Sequence, residues 1–232
     1  MTTPSGDRPG VLFDVDGTLL DTNYLHVVAW WQAFRDAGHQ GIDMATVHRA
    51  IGIASAELVA KVLGREDEET VRAHSTRYEA LKDQVVAFPR TAELLTTCAD
   101  RGLGVVLATS GQESDLEWMQ PAIGANQAVL GATTSADVDA AKPAPDLLTT
   151  AVRDHGLDPQ RTVVVGDTVW DVEAAHKAGL ACIALTCGGI SRQELQDAGA
   201  VAVYADPADL LEHFDSSPLG GALAEPDQHD AR

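Results

Sequence analysis

Six short runs along the chain are almost continuously apolar: Val11–Phe13, Gly104–Thr109, Ala128–Thr133, Thr162–Asp167, Ala181–Thr186 and Ala200–Ala205. They are rich in β-branched residues, and a helical or turn segment precedes each of the later ones. Only a sheet covered on both faces tolerates such runs, so the pattern predicts buried parallel strands alternating with helices. The intervening segments fit that reading. RTAELLTTCADRG (90–102), PDLLTTAVRDHG (145–156) and DVEAAHKAG (171–179) are amphipathic, and each stops at the glycine expected just past a helix end.

Between Asp21 and Phe88 the period changes. NYLHVVAWWQAFRDAG, DMATVHRAIG, SAELVAKVLG and EDEETVRAHSTRYEALKDQ read as helices separated by glycine breaks, with no convincing strand among them. The fold class that follows is α/β, a Rossmann-like parallel sheet core with an inserted α-helical cap. The expected boundaries are 10–21 and 88–215 for the core and 22–87 for the cap. Residues 1–9 and 216–232, rich in Pro, Gly, Asp and Ser, are expected to be flexible tails. An insertion after the first strand is expected to lie over that strand's C-terminal end, where ligands of open α/β sheets bind.

Composition narrows the function classes. The 232 residues are 45% hydrophobic and 22% charged, enough for one sizeable core with a small satellite. No apolar run approaches the roughly 18 residues of a membrane-spanning helix, and the first ten residues lack the pattern of a signal peptide. With 16 Lys+Arg against 35 Asp+Glu, the net charge of −19 would repel a phosphate backbone, so nucleic acid is not an expected partner. Cys98, Cys182 and Cys187 are odd in number and lack metal-site spacing, which points to ordinary thiols in a reducing, cytoplasmic setting.

Four short elements at predicted strand ends carry candidate chemistry. In Asp14-Val15-Asp16-Gly17-Thr18, two carboxylates leave an extended chain on one side before a glycine turn. Such a pair suits a divalent cation, or a nucleophile beside an acid–base group, although two solvated loop aspartates would read the same way. Ala108-Thr109-Ser110-Gly111 could cradle an anion or merely cap a helix. Lys142, one of only four lysines, lies in Lys142-Pro143-Ala144-Pro145-Asp146, where prolines can fix a compact positive charge. Gly166-Asp167-Thr168-Val169-Trp170-Asp171 offers two acids four apart, either around a metal or as a helix cap.

Taken together and in this order, FDVDGT (13–18), ATSG (108–111), KPAPD (142–146) and GDTVWD (166–171) resemble the haloacid dehalogenase-like superfamily of hydrolases. The likeness spans nearly all of residues 10–210. The place of the helical insertion resembles the type 1 cap of the phosphoglycolate phosphatase and β-phosphoglucomutase branch. That resemblance implies Asp14 as a nucleophile forming an aspartyl-phosphate, and Asp16 as the general acid and then base. It implies Mg²⁺ held by the Asp14 carboxylate, the Asp16 main-chain carbonyl and Asp167, with Asp171 orienting its waters. Thr109, Ser110 and Lys142 would bind the phosphoryl group.

An acid at position 16 speaks against dehalogenase and phosphonoacetaldehyde hydrolase chemistry, leaving phosphoryl transfer. His26 and Trp30 are similar to a His-x3-Trp pattern of the mutase branch. Thr18, however, stands where the mutases tend to have Val, and Ile51 and Ser55 stand where a mutase carries basic residues for a second phosphate. Arg49, nearby, keeps that alternative open. The expected activity is a Mg²⁺-dependent phosphatase of a small phosphorylated metabolite, in a monomer or homodimer. A sugar-phosphate mutase and a non-catalytic metabolite binder are the alternatives. Tyr24, His26, Trp31, His48 and Arg49 are candidates for facing the substrate. Arg90, where this branch usually has glycine, is a further positive charge near the hinge that either touches an anion or is solvated.

Overall fold

A computed structural model describes residues 6–138 and 142–223. Its secondary structure runs β1 (Arg8–Phe13), α1 (Asn23–Asp36), α2 (Met44–His48), α3 (Ser55–Leu63), α4 (Glu68–Glu79), α5 (Thr91–Asp100), β2 (Gly104–Ala108), α6 (Glu113–Ile123) and β3 (Val129–Thr133). It continues with α7 (Asp146–Asp154), β4 (Leu157–Gly166), α8 (Val169–Ala178), β5 (Ala181–Leu185), α9 (Arg192–Asp197), β6 (Ala202–Tyr204), α10 (Pro207–Glu212) and α11 (Pro218–Ala222). The six strands form one sheet in the order β3-β2-β1-β4-β5-β6, with every pairing parallel. Each of the six apolar runs became a strand. The sheet is a Rossmann-like α/β core.

Alternate side chains of the strands feed two apolar layers, as the two-residue period of a strand requires. Val11, Phe13, Val105, Leu107 and Val165 pack with Leu94 and Leu95 of α5 on one face. Leu12, Val106 and Val164 pack with Leu147, Leu148 and Ala151 of α7 on the other. Both faces are covered, which is why β2 is buried at all five positions and why polar alternation was missing from the sequence. Strand order reverses at the β1/β4 boundary, and the crevice beyond those strand ends is where such sheets bind ligands.

Helices α1 to α4 hold a third apolar cluster of their own, with Val27, Trp30, Phe34, Val47, Leu58 and Val59 buried in it. The two chain passages linking them to the sheet are clasped side by side. Asp21 N–H donates to Val86 O at 2.9 Å, and Phe88 N–H donates to Leu19 O at 3.0 Å. Of the two adjacent tryptophans in α1, Trp30 is buried while Trp31 lies outside that stripe under the Arg35 guanidinium, 4.8 Å away.

The ends differ from expectation. β1 begins at Arg8, two residues before the predicted core, and pairs there with Leu157. The C-terminal tail expected from residue 216 is structured to residue 223. Ser217 caps α11, Pro218 opens it, and Leu219 and Ala222 are buried in the sheet-face cluster. One buried leucine anchors a segment whose composition otherwise reads as loop. Residues 1–5 and 224–232 of the expected tails lie outside the described residues.

Candidate active site

The four strand-end elements converge. Asp14 follows β1, Thr109 follows β2 and Asp167 follows β4, three neighbouring strands, so their side chains meet in the crevice at the order reversal. Asp14, Asp167 and Asp171 each place a carboxylate oxygen within 4.8 Å of the others, and all three are buried. Gly17 makes the turn after Asp16 at φ +78°. A side chain there would also collide with Asn23, whose amide nitrogen lies 2.3 Å from the Cβ position.

Lys142 is the buried counter-charge. Its Nζ lies 2.5 Å from Asp14 Oδ1 and 2.8 Å from Asp171 Oδ1, and it donates to Ala108 O at 3.0 Å. Burial alone would lower its pKa, but Asp14 and Asp171 raise it, so it remains an ammonium. Burial pushes Asp14 up to about 7, with Lys142 opposing and Asp171 adding to the rise. Asp167 is also raised, by burial and then by Asp171 and Asp14. Its oxygens accept from Thr18 Oγ1 at 3.0 Å and from Asn23 Nδ2 at 2.7 Å.

Three buried acids against one lysine leave excess negative charge, and the donors are all oxygen. That set fits a hard divalent cation. Asn23 Oδ1, buried without a hydrogen-bond partner, lies on the side chain that holds Asp167 and is a further unused oxygen. Asp171 is the most committed of the three. One oxygen faces Lys142 and the other accepts from Thr168 Oγ1 and N–H at 2.5 and 3.0 Å, closing a capping box on α8. The helix-cap reading needs correction: Thr168 is the N-cap of α8, and Asp171 sits one turn in as the third helical residue, its carboxylate reaching back to the cap.

Asp16 stands apart from this acid cluster. Its Oδ1 accepts from Thr22 Oγ1 at 2.7 Å and meets His26 Nε2 at 3.2 Å. Burial would raise its pKa, yet His26 and Thr22 hold it below the usual carboxylate value. Behind His26, its Nδ1 meets His74 Nε2 at 3.2 Å. Trp30 stacks on His74 with ring centroids 3.7 Å apart, and Tyr78 stacks on His26 at 3.8 Å. Burial, and then His26, push the His74 pKa well down, so that ring is neutral.

A cavity of about 70 Å³ separates the strand ends from the helical insertion, room for a few waters. Asp14, Asp16, Thr109, Ser110 and Gly111 line it from the sheet side, and His26, Trp30, Ile51, Ile53, Leu58 and His74 from the other. Thr109 Oγ1 accepts from Gly111 N–H at 2.9 Å, and Ser110 Oγ donates across the gap to Gly52 O at 3.1 Å. Of the substrate-facing candidates in the helical insertion, only His26 lines this cavity. Tyr24 and His48 stack on each other at the junction with the core, where His48 Nε2 meets Gly188 O at 2.9 Å. Arg49 pairs with Glu194 at 2.6 Å, and Trp31 is outside the site. Arg90 pairs with Glu93 at 2.8 Å and reaches Glu212 at 3.4 Å, so its charge is spent on the surface and not on the cavity.

The sequence reading missed Asn23, Thr22, His74 and Tyr78. Their signal was present but local. In a helix as charged as α4, the buried residues Thr70, His74 and Tyr78 recur every fourth position.

A family model described as haloacid dehalogenase-like hydrolase matches residues 11–185. The protein named “Probable phosphatase IndB” from Dickeya dadantii is 31% identical over 228 residues, covering 94% of each chain. A phosphoglycolate phosphatase of Rhodospirillum rubrum is 26% identical over 224 residues, covering 91% of this chain and 92% of its own. A hydrolase from Pseudomonas syringae superposes with a TM-score of 0.84 at 33% identity, covering 90% of this chain and 99% of that one. The matched residues 11–185 take in the strand-end acids, the buried lysine and the helical insertion of this chain. The chain belongs to the haloacid dehalogenase-like hydrolases.

Proposed function

We propose that this hydrolase is a Mg²⁺-dependent phosphatase that cleaves a small phosphate monoester through an aspartyl-phosphate on Asp14. The observation that carries this reading is the placement of Asp14 and Asp16 on one wall of a single cavity, with Lys142 against Asp14 and His26 against Asp16. Asp14 is placed to attack phosphorus, forming a P–O bond as the bond to the leaving alkoxide breaks. Asp16 is placed to hand that alkoxide a proton. At rest His26 and Thr22 favour its carboxylate, and an incoming phosphoryl dianion raises its proton affinity. In the second half-reaction Asp16 takes a proton from water, which attacks the aspartyl-phosphate and releases inorganic phosphate with Asp14 restored.

Thr109, Ser110 and the neighbouring N–H groups are positioned to receive the equatorial oxygens, and Lys142 to balance charge as it builds on Asp14 and the phosphoryl group. Asp14, Asp167 and the Asp16 carbonyl would hold the cation, with Asp171 beside them. Bound there, Mg²⁺ supplies the positive charge that three buried carboxylates and one lysine leave wanting. Helices α1 to α4 act as a cap that decides the leaving group, within residues 22–87. A small phosphorylated metabolite is the proposed partner, in a monomer or homodimer. The three free thiols fit the cytoplasm. No helix among the described residues is long and apolar enough to cross a membrane.

The test is phosphate release from a panel of phosphate monoesters, including an aryl ester, with Mg²⁺ and with a chelator. Metal-dependent release supports the reading. A folded protein that turns over no ester in Mg²⁺ overturns it.

A further inference from the structure

Resting on the phosphatase reading, we infer the class of leaving group: an uncharged alcohol, with a second anionic group on the substrate selected against. The cap wall of the cavity is made of Trp30, Ile51, Ile53 and Leu58, with Ser55 as its hydroxyl and His74 as a buried ring. No lysine or arginine lines the cavity among the described residues. The nearby cations are engaged elsewhere. Arg49 is directed to Glu194 on the surface, Lys61 lies over the Trp170 ring at 4.6 Å, and Lys142 is enclosed by Asp14 and Asp171. His26 turns its Nε2 to Asp16 and its Nδ1 to His74, so neither ring nitrogen is left for a carboxylate.

A carboxylate or second phosphate pressed against Ile51, Ile53 and Leu58 gives up its water and finds no partner. It also faces Asp14 and Asp16 across a narrow gap. A hydroxymethyl group meets neither cost, and the Ser55 hydroxyl, which makes no hydrogen bond among the described residues, is available to it. The cavity therefore discriminates by what it fails to neutralise, the way a site built without a counter-charge rejects an ion.

The experiment uses matched esters that differ only in a hydroxymethyl group against a carboxylate: hydroxyethyl phosphate against phosphoglycolate, and glycerol 3-phosphate against 3-phosphoglycerate. With Mg²⁺ present, the uncharged member of each pair is expected to show a kcat/KM at least about tenfold higher. Ser55→Arg should shrink that ratio by raising turnover of the carboxylate esters. Equal or preferred turnover of the charged members by the wild-type protein overturns the inference while leaving the phosphatase reading standing. Hydrolysis of none of the esters, nor of an aryl phosphate, overturns the phosphatase reading and this inference with it.

Discussion

The sheet side and the cap side of the cavity face each other across a few ångströms but are held in place differently. On the sheet side, each acid is pinned by charge or by a short hydrogen bond: Asp14 and Asp171 by Lys142, Asp167 by Thr18 and Asn23. On the cap side, ring stacking and apolar contact set the positions, as Trp30, His74, Tyr78 and His26 lie in one stack. Fixed charges suit a phosphoryl group, which is the same in every substrate. A stacked and apolar wall suits a leaving group, which is not. On the proposed reading, the difference puts chemistry in the sheet and choice of leaving group in the helical insertion.

Substitution of Asp14 is the most direct way to break that division. Asp14→Asn should lower phosphate release by about 10⁴-fold or more, as loss of a covalent nucleophile does. Circular dichroism should show the fold intact. Activity within tenfold of wild type would move the chemistry away from the sheet.

The next effect is on stability. On the proposed reading, Mg²⁺ at about a hundredfold excess over its dissociation constant should add about 2.7 kcal/mol, a rise of roughly 5–10 °C in Tm for a chain of this size. Its pH dependence follows from Asp14, raised from 3.8 to about 7 in the metal-free protein. Between those values the folded chain holds a proton that the unfolded chain has released, so metal-free stability falls as pH rises through that window. Asp167 shifts in the same direction. Urea midpoints in chelator at pH 5 and pH 8 check the sign, and a midpoint higher at pH 8 would contradict it.

On the cap side the expected effects are smaller. His74→Phe keeps a ring against Trp30 and removes the contact to His26 Nδ1. One hydrogen bond is worth about 1 kcal/mol, so kcat should drop about threefold to tenfold with KM nearly unchanged. A change confined to KM would place His74 in leaving-group contact instead. The smallest effect is expected at Arg90, the one non-glycine residue with positive φ (60°) among those described. Arg90→Gly removes the left-handed strain and the surface ion pairs together, so Tm should move by no more than about 2 °C.

The same division decided what could be read from the chain. Asp14, Thr109 and Asp167 were legible because each follows an apolar run, and strand ends of a parallel sheet meet in one place whatever the loops do. Lys142 was legible through its rarity and its flanking prolines, though its enclosure between Asp14 and Asp171 was not. His74 showed in the chain only as one of three positions at helical spacing in α4; its meeting with His26, 48 positions away, depends on how α4 packs against α1 and was not legible. Asn23 was passed over as a helix start, and its bond to Asp167 spans 144 positions. Arg49 misled in the opposite direction, since its partner Glu194 lies on α9, beyond reach of any local pattern. At the C-terminus, composition outweighed the buried Leu219 and Ala222.

Ser110 carries a consequence for timing. Its hydroxyl now donates to Gly52 O on the loop between α2 and α3, and the same hydroxyl stands in the cradle proposed for the phosphoryl oxygens. A hydroxyl has one proton to give. It cannot serve the cap loop and a phosphoryl oxygen at the same instant, so arrival of the phosphoryl group would unfasten the loop and departure of phosphate would fasten it again. A single proton would then act as the tether that senses whether the site is filled.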